Sequence, residues 1–374
     1  MIDLTIFLSD LGGGGAERVM VNLANSFAQQ GKSVDLVLVY KVEQYLSLLH
    51  PSVRVINLDC SKLLKSLPLL ISYLKKEKPK ILLSAIEDTN IIAICANKLA
   101  AVNTKIVVTV HNHLSSEVSH ATNLKRRFVP YFLKYFYPYA NSVVAVSKGV
   151  ANDLVKWTGL SLEKIQAIYN PVIPPNLQTL LHEVPNHPWL NQKQWPVILG
   201  VGRLNPQKDF PTLIHAFAYM RRQYPAKLII LGEGKQRNQL QRLINQLNLT
   251  SDVHINGFVK NPYAYMSKSS LCVLSSAWEG FGNVIVEAMA VGTPVVSTDC
   301  TSGPAEILAN GKYGKLVPVG DIEKMAEAMI QTLHSPLDSQ ILQQRANKFT
   351  IEAATLQYEQ LFCQLQEPDK ANNL

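Results

Sequence analysis

Short apolar runs alternate along the chain with amphipathic, helix-like stretches. The runs are rich in Val, Ile and Leu, which predicts strands that are buried on both faces of a parallel sheet. A first series comprises Leu4–Leu8, Val34–Val39, Val53–Leu58, Ile81–Ser84, Ile106–Val110 and Ser142–Val146, and a second comprises Val197–Val201, Lys227–Leu231, Val253–Ile255, Leu271–Leu274 and Pro294–Ser297. Helical patterns such as Glu17–Gln30 and Asn90–Leu99 lie between them. Two series of this kind predict an α/β protein with two doubly wound, Rossmann-like units.

The amino-acid composition changes between the two series of predicted strands. Six prolines fall between Pro171 and Pro196, and proline fixes φ and lacks a backbone donor, so an irregular linker is expected there. Near the end, Lys348–Gln366 has the pattern of an amphipathic helix. The predicted organisation is a first domain over 1–172, a linker over 173–196, a second domain over 197–347, and a C-terminal helix with a frayed tail over 348–374.

Composition places the chain among well-packed globular proteins, with 47% hydrophobic and 17% charged residues in a length of 374. No apolar run is long enough to cross a bilayer. The N-terminus has no basic leader, so no signal peptide is expected. The five cysteines have neither metal-ligand nor disulfide spacing, which is typical of a reduced, cytoplasmic protein.

The net charge of +8 is uneven, because the first 190 residues carry six of the eight excess positive charges. No nucleic-acid recognition motif accompanies them, so a nucleic-acid partner is not expected. Two stretches in this half, Lys62–Lys76 and Lys125–Tyr137, mix basic with apolar or aromatic residues. Such mixtures suit a surface that rests on anionic lipid, which predicts peripheral attachment to the inner face of the cell membrane. The alternative is a pair of core helices with charged outer faces.

The candidate chemistry of the second domain begins at Gly200–Phe210, where its first strand ends. Arg203 and Lys208 stand five residues apart on a turn that contains Pro206. A guanidinium and an ammonium at this position can neutralise a diphosphate leaving group. The alternative is a pair of solvated surface cations.

Glu279 and Glu287 flank a glycine-containing turn and the start of an apolar helical run. Backbone N–H groups at a helix N-terminus hold phosphate oxygens. Carboxylates on either side can then bind the hydroxyl groups of a sugar nucleotide, Glu279 at the transferred sugar and Glu287 at the ribose. The alternative is a helix with an acidic N-terminus and a second acid placed by chance.

In the first domain, the first strand runs into Gly12–Gly15 and a helix. The G-x-G-x-x-G dinucleotide fingerprint is not satisfied, because its third glycine would fall on Arg18. The loop can be an anion site or an unliganded turn. His111 follows a predicted strand end, where ligands of open sheets bind, although most single histidines are structural. No D-x-D pair or His/Asp cluster is present, so neither a metal nor another cofactor is expected.

Taken together, the motifs resemble a known family, the retaining glycosyltransferases of the GT-B fold, family four, which includes glycogen-synthase-like and phosphatidylinositol mannosyltransferase-like enzymes. The matching pieces run in the family's order over nearly the whole chain: Gly12–Arg18, His111-Asn112, Val144–Ser147, Asn170-Pro171, Gly200–Lys208, Leu231–Gly234, Gly257-Phe258, Glu279–Ala290, Gly292–Val296 and Gly311–Gly320. Trp278–Ala290 and Ser297–Ile307 look most like the branch that builds amino-sugar and galactose-type linkages on polyprenyl-diphosphate carriers or cell-surface polysaccharides.

The resemblance implies two domains that face each other across a cleft and a role for each matched position. Arg203 and Lys208 would bind the donor diphosphate, and Glu279 and Glu287 the donor sugar and the ribose. His111 would lie beside the anomeric carbon. Backbone groups would complete the donor site at Gly13, Gly14 and Gly15, at Phe258 and Val259, and at Phe281, Gly282, Asn283 and Val284.

The function expected from the sequence is retaining, metal-independent transfer of a hexosyl or N-acetylhexosaminyl group. The donor is expected to be UDP-linked, and the acceptor a lipid-linked or cell-surface glycan. Two alternatives stay open. A sugar-nucleotide epimerase shares the architecture but needs no acceptor, and a non-catalytic scaffold would bind the nucleotide sugar without transfer.

Overall fold

The computed structural model describes residues 2–12, 14–40, 44–121, 124–192 and 194–367, with no side chains for residues 124 and 125. The chain divides into two compact units. The first unit consists of Met1–Pro171 together with Ile351–Leu374, and the second of Val172–Thr350. Within the described residues, no helix is both long and apolar enough to cross a membrane.

The first unit is a parallel sheet with helices on its faces. Within the described residues its seven strands are β1 Leu4–Leu8, β2 Val34–Leu38, β3 Arg54–Asn57, β4 Ile81–Ala85, β5 Lys105–Val110, β6 Ser142–Ala145 and β7 Ile165–Ala167, in the order β3-β2-β1-β4-β5-β6-β7. Its helices are α1 Gly15–Gln29, α2 Ser66–Glu77, α3 Glu87–Ala100, α4 Leu114–Ser119, α5 Leu124–Phe136, α6 Lys148–Thr158 and, from the end of the chain, α16 Ile351–Gln366. Helix α16 packs on α1, where Phe27 and Phe362 stack at 5.6 Å.

The second unit repeats the architecture with six strands in its described part. The strands are β8 Val197–Val201, β9 Lys227–Leu231, β10 Val253–Gly257, β11 Leu271–Leu274, β12 Val295–Thr298 and β13 Lys315–Val317, all parallel, in the order β10-β9-β8-β11-β12-β13. The helices are α7 Leu177–Leu181, α8 Pro188–Gln192, α9 Phe210–Arg221, α10 Arg237–Gln246, α11 Pro262–Lys268, α12 Asn283–Ala290, α13 Pro304–Ile307, α14 Ile322–His334 and α15 Ser339–Ala346.

Burial explains why the apolar runs form these strands. Every residue of β1, β2 and β4 is buried, as parallel strands covered by helices on both faces must be. In the second unit, Ile198, Phe217 and Met329 lie in one hydrophobic core between the sheet, α9 and α14. The prediction of two doubly wound α/β units is confirmed.

Two features differ from the sequence-based expectations. Segment 173–196, expected to be an irregular linker, belongs to the second unit and contains α7 and α8. Helix α8 begins at Pro188, a position where proline's missing N–H costs no helical hydrogen bond. The edge strands β7 and β13 were not predicted, because each has only three residues, one of them buried, and so carries too little apolar pattern.

Candidate functional site

The second sheet has a switch point between β8 and β11. From β8 the chain adds β9 and β10 on one side, and then returns to place β11 on the other. The loops after β8 and β11 therefore diverge, and ligands of open α/β sheets bind in the crevice that this leaves at the carboxyl edge. The loop after β8 carries Arg203 and Lys208, and the loop after β11 carries Glu279.

Lys208 and Glu279 are brought into direct contact at this point. The Lys208 ammonium donates a hydrogen bond to Oε1 of Glu279, and the Ser276 hydroxyl donates to the same oxygen at 2.6 Å. The side chains of Lys208 and Glu279 are only 16% and 8% exposed. A poorly hydrated ion pair is held in place by such additional hydrogen bonds. The two residues that sequence reasoning assigned to diphosphate and sugar are thus neighbours.

Backbone contacts fix the loop that carries Lys208. Ser275 Oγ donates to the Lys208 carbonyl at 2.8 Å, and Ala277 N donates to the Gln207 carbonyl at 2.8 Å. The Lys208 stem runs alongside Gly202, where an added Cβ would meet three of its carbons at 3.1 Å. Packing of its stem and hydrogen bonds to its backbone therefore fix the position of the Lys208 ammonium group.

Arg203 lies on the same loop, and its side chain is exposed. Backbone hydrogen bonds from Gly202 N to Leu231 O and from Leu204 N to Glu233 O, both 2.9 Å, anchor the residues on either side of it. Among the described residues, the Arg203 guanidinium has no ion-pair partner. An exposed guanidinium group on a fixed backbone is suited to bind an anion from solution.

The turn before α12 depends on two glycines. Gly282, the residue before the helix, has φ +102°. Gly303, with φ +89°, lies so close to this turn that an added Cβ would stand 1.9 Å from the Phe281 carbonyl oxygen. The Ser302 hydroxyl donates to the Glu279 carbonyl at 2.7 Å. The loop after β12 therefore holds the 279–282 turn in place.

Helix α12 begins at Asn283, directly after the turn, and Val284 is its second residue. This start agrees with the one that the sequence indicates. Glu287 lies half-buried one turn along the helix. Together with burial, which is the larger cause, its charge raises the pKa of the Cys272 thiol to about 12. Glu279 contributes in the same way to the pKa of the Cys300 thiol, which burial raises to about 12.

Phe258 and Val259 follow β10, the edge strand of the same sheet. Phe258 is exposed, and the Gly257 carbonyl before it accepts from Gly232 N at 2.8 Å. They lie at the same carboxyl edge as Arg203, on the far side of β9. An exposed phenyl ring there can stack on a planar base.

The first unit carries the other predicted residues. His111 follows β5, and its Nε2 lies 2.9 Å from Thr109 Oγ1. Burial lowers the pKa of His111 to about 4, so the ring is neutral at pH 7. Gly14 and Gly15 open α1 as expected, with the Glu17 carboxyl group over Gly14. Gly13 lies outside the described residues.

Sequence reasoning missed the hydroxyl groups that support Glu279. Ser276 and Ser302 are buried and donate to its side chain and its carbonyl, respectively. Both lie just beyond strand ends, in the loops after β11 and β12. A position just after a strand was the only sequence feature that could have indicated these serines. Serine is too common in such loops for this feature to identify them.

Comparison with known proteins identifies the family of this chain. Residues 187–349 match the family model of glycosyl transferases group 1, and residues 13–174 match that of glycosyltransferase family 4. The chain is 34% identical over 254 residues to an uncharacterised glycosyltransferase of Methanocaldococcus jannaschii, with 66% of this chain and 62% of that protein covered.

Two further relatives cover nearly the whole chain. One is the N-acetylgalactosamine-N,N'-diacetylbacillosaminyl-diphospho-undecaprenol 4-alpha-N-acetylgalactosaminyltransferase of Campylobacter jejuni, 32% identical over 88% of this chain and 89% of that protein. The other is the crystal structure of Anabaena HepE in complex with UDP-glucose, with TM-score 0.81 and 21% identity over 97% of this chain and 100% of that one. The fold is GT-B, and the chain belongs to the glycosyltransferases whose domains match the family 4 and group 1 models.

Proposed function

We propose that this glycosyltransferase moves a sugar from a UDP-linked donor to a glycan or lipid-linked acceptor, with retention at the anomeric carbon. The observation that carries the proposal is the Lys208–Glu279 pair beside the exposed Arg203, at the switch point of the second sheet. Two cations and one carboxylate match a diphosphate joined to a sugar. The structural neighbour that contains UDP-glucose supports uracil as the base.

Each donor group has a proposed partner. Arg203 and Lys208 bind the diphosphate, and the ammonium, with three N–H donors, can keep its bond to Glu279 while it binds a phosphate oxygen. Glu279 binds the transferred sugar and Glu287 the ribose. The remaining proposed donor contacts are His111 beside the anomeric carbon and backbone groups at Gly13, Gly14, Gly15, Phe258, Val259, Phe281, Gly282, Asn283 and Val284. An anion at Gly14 requires the Glu17 carboxyl group to turn away.

The proposed reaction is a direct exchange of bonds at the anomeric carbon. The acceptor oxygen forms a bond to this carbon as the bond to the diphosphate oxygen breaks, and both events occur on the same face. The acceptor proton passes to the leaving diphosphate. Arg203 and Lys208 stabilise the negative charge that develops there, so the proposed mechanism uses no metal.

The acceptor proposal rests on the relatives. The Campylobacter jejuni enzyme is named for a diphospho-undecaprenol-linked substrate. A comparable acceptor here is a sugar chain on a polyprenyl diphosphate or a cell-surface polysaccharide intermediate, and N-acetylhexosamine or hexose is the proposed unit.

A panel of UDP-, GDP- and ADP-sugars tests the donor proposal. We expect one UDP-sugar to bind and to be hydrolysed slowly without acceptor, with the α-anomer released first. Arg203→Ala should lower this hydrolysis by roughly 10- to 100-fold, because one charged hydrogen-bonding group at the leaving diphosphate is lost. Arg222→Ala, an exposed arginine after α9, is the matched control and should have no effect. Binding of no panel member, or equal losses in both variants, would refute the assignment.

We also propose that helix α5 attaches the protein to an anionic membrane. Its inward positions Val129, Pro130 and Leu133 are buried. Its outer face, by contrast, is aromatic as well as basic: Phe128, Tyr131, Phe132 and Tyr135 are each more than half exposed, beside the exposed Arg127 and Lys134. Helices α2 and α5 both contact α3, so the two basic stretches border the same helix. Aromatic rings with cations suit the lipid headgroup region.

Co-sedimentation with vesicles tests this surface. We expect binding to vesicles that contain phosphatidylglycerol at low salt, weakened at high salt by screening. Replacing both Phe128 and Phe132 by Ser should reduce the bound fraction roughly tenfold, because two rings no longer enter the interface. Leu356→Ser removes an exposed apolar side chain from α16 and should change nothing. Failure of the wild type to bind at low salt would overturn the membrane proposal.

A further inference from the structure

Glu87, the first residue of α3, is a fully buried carboxyl group. Within the described residues, neither of its side-chain oxygens has a hydrogen-bond partner. Nη1 of Arg126 lies 3.8 Å from Oε2 of Glu87, beyond hydrogen-bond distance. A buried carboxyl group without hydrogen bonds is costly, so its presence requires an explanation.

Two neighbouring residues share this condition. Ser84 Oγ, in β4, and Asn90 Oδ1, in α3, are also buried and without partners among the described residues. The Asn90 amide donates to Thr109 O and to the Tyr137 hydroxyl, both at 2.9 Å. Its carbonyl oxygen is therefore held in one orientation. Four unsatisfied oxygen atoms thus belong to three residues around the end of β4.

These residues lie at the switch point of the first sheet. The order β3-β2-β1-β4-β5-β6-β7 reverses direction between β1 and β4, and crevices that bind ligands open at such points. Ile86, directly before Glu87, has φ +74°. A β-branched residue in this region is strained, and such strain concentrates at binding and catalytic sites.

The charges around Glu87 come from several elements. Glu117 of α4 and Arg126 of α5 face it, Asp88 of α3 is the adjacent residue, and the Tyr137 hydroxyl lies nearby. Burial, and then Glu117, raise the pKa of Glu87 well above its ordinary value, against the opposing effect of Arg126. A carboxyl group with a raised pKa keeps its proton to higher pH, and in the protonated form it can both donate and accept hydrogen bonds. That chemistry suits a neutral hydroxyl group and not an anion.

We propose that Glu87, with Ser84 and Asn90, forms the subsite that binds a hydroxyl group of the acceptor sugar. The inference rests on the proposed function, since it assigns part of the acceptor site. The subsite satisfies oxygen atoms that otherwise stay without partners, and it recognises a neutral sugar through hydrogen bonds. Glu87 binds and orients the acceptor and takes no part in bond breaking.

The test uses the full chain and p-nitrophenyl glycosides of glucose, galactose, N-acetylglucosamine and N-acetylgalactosamine as probes. We expect saturation-transfer NMR in the presence of UDP to show binding of at least one glycoside. Glu87→Leu and Ser84→Ala should each weaken it, on the order of tenfold, by loss of one hydrogen bond. Glu87→Gln, whose amide also donates and accepts, should keep most of the binding. Asp88→Asn, which neutralises the adjacent but exposed acid, is the matched control and should leave it unchanged.

Unfolding measurements separate a binding role from a structural one. Removing unsatisfied buried oxygens relieves a desolvation penalty, so Ser84→Ala and Glu87→Leu should keep or raise the Tm while glycoside binding falls. Loss of Tm together with loss of UDP affinity would show a structural role and overturn the proposal. So would an absence of glycoside binding by a wild-type protein that binds UDP-sugar. A wild type that binds no UDP-sugar would instead refute the proposed function.

The pH dependence of stability gives a second readout. Because the pKa of Glu87 is higher in the folded than in the unfolded chain, the folded state binds more protons, and stability falls as pH rises through that interval. The gain in Tm of Glu87→Gln over wild type should therefore be larger at pH 8 than at pH 4. A gain that is independent of pH would show that the pKa of Glu87 is the same in the folded and the unfolded chain, so that the group is ionised at neutral pH, and would overturn the assigned hydroxyl chemistry.

Discussion

Replacement of Lys208 by methionine is expected to lower kcat/KM for the nucleotide-sugar donor by about 100- to 1,000-fold, the effect of removing one preorganised charge from a developing anion. Methionine keeps the apolar stem that lies along Gly202 and removes only the ammonium. The loss should appear mainly in kcat, because the charge acts on the leaving diphosphate. Single-turnover rates with the donor identified from the panel measure it.

The Lys208–Glu279 contact also predicts a stability effect that can be separated from activity. Lys208→Met leaves Glu279 without its cation, which costs about 1–3 kcal/mol. In the double variant Lys208→Met with Glu279→Gln, stability should recover, because a neutral amide needs no counter-charge. Activity should not recover, because the ammonium group is still missing. Recovery of both would mean that Lys208 serves only to hold Glu279.

A matched pair elsewhere in the second unit supplies the control. Lys227, the first residue of β9, is 2.8 Å from Asp252, with side-chain exposures of 17% and 11%. Its burial is close to that of Lys208, but it lies at the amino end of a strand of the same sheet. Lys227→Met should cost somewhat less stability than Lys208→Met, because Arg221 stays paired with Asp252 at 3.3 Å, and it should leave kcat/KM unchanged. An equal loss of activity in both variants would trace the effect to general destabilisation.

Replacement of Gly303 by alanine is expected to destabilise the second unit by about 2–4 kcal/mol and to weaken UDP binding at least tenfold. The added Cβ would stand 1.9 Å from the Phe281 carbonyl oxygen and 2.6 Å from Phe281 Cα. Both are backbone atoms, so the 279–282 turn must move, in addition to the cost of the positive φ. Urea denaturation and UDP titration measure the two effects.

Gly311→Ala separates close approach from backbone strain. Gly311 has φ +91°, and the nearest atom to an added Cβ is 3.8 Å away. This variant should lose only about 1 kcal/mol, from strain alone, and should keep its UDP affinity. Equal losses at the two glycines would show that the approach of Gly303 to the turn has no consequence for the donor site.

Part of the candidate site could be read from the sequence because it depends on local order. The turn at 279–283 and the start of α12 lie within one short segment, and glycine marks the position with positive φ. Arg203 and Lys208 follow a strand that its apolar run identifies. His111 was placed at a strand end for the same reason, although its lowered pKa could not be known before its burial was.

Other parts required the structure because they join distant segments. Ser276 and Ser302 were indistinguishable from other loop serines until hydrogen bonds to Glu279 defined them. In the sequence Glu87 is an ordinary acid at a helix start, and only the structure shows that its oxygens are buried and have no partner among the described residues. Strands β7 and β13 exist because each pairs with a neighbour already in place, not because three residues specify a strand.

The sequence by itself determined that this protein has two parallel α/β units, since strands buried on both faces must be apolar throughout and helices must be amphipathic. It also determined which residue types stand just beyond the strands. Only the tertiary structure decided the strand order, and with it the switch points between β1 and β4 and between β8 and β11. Strand order is set by packing between segments far apart in the chain, and it is this order that brings Lys208 onto Glu279, 71 residues away.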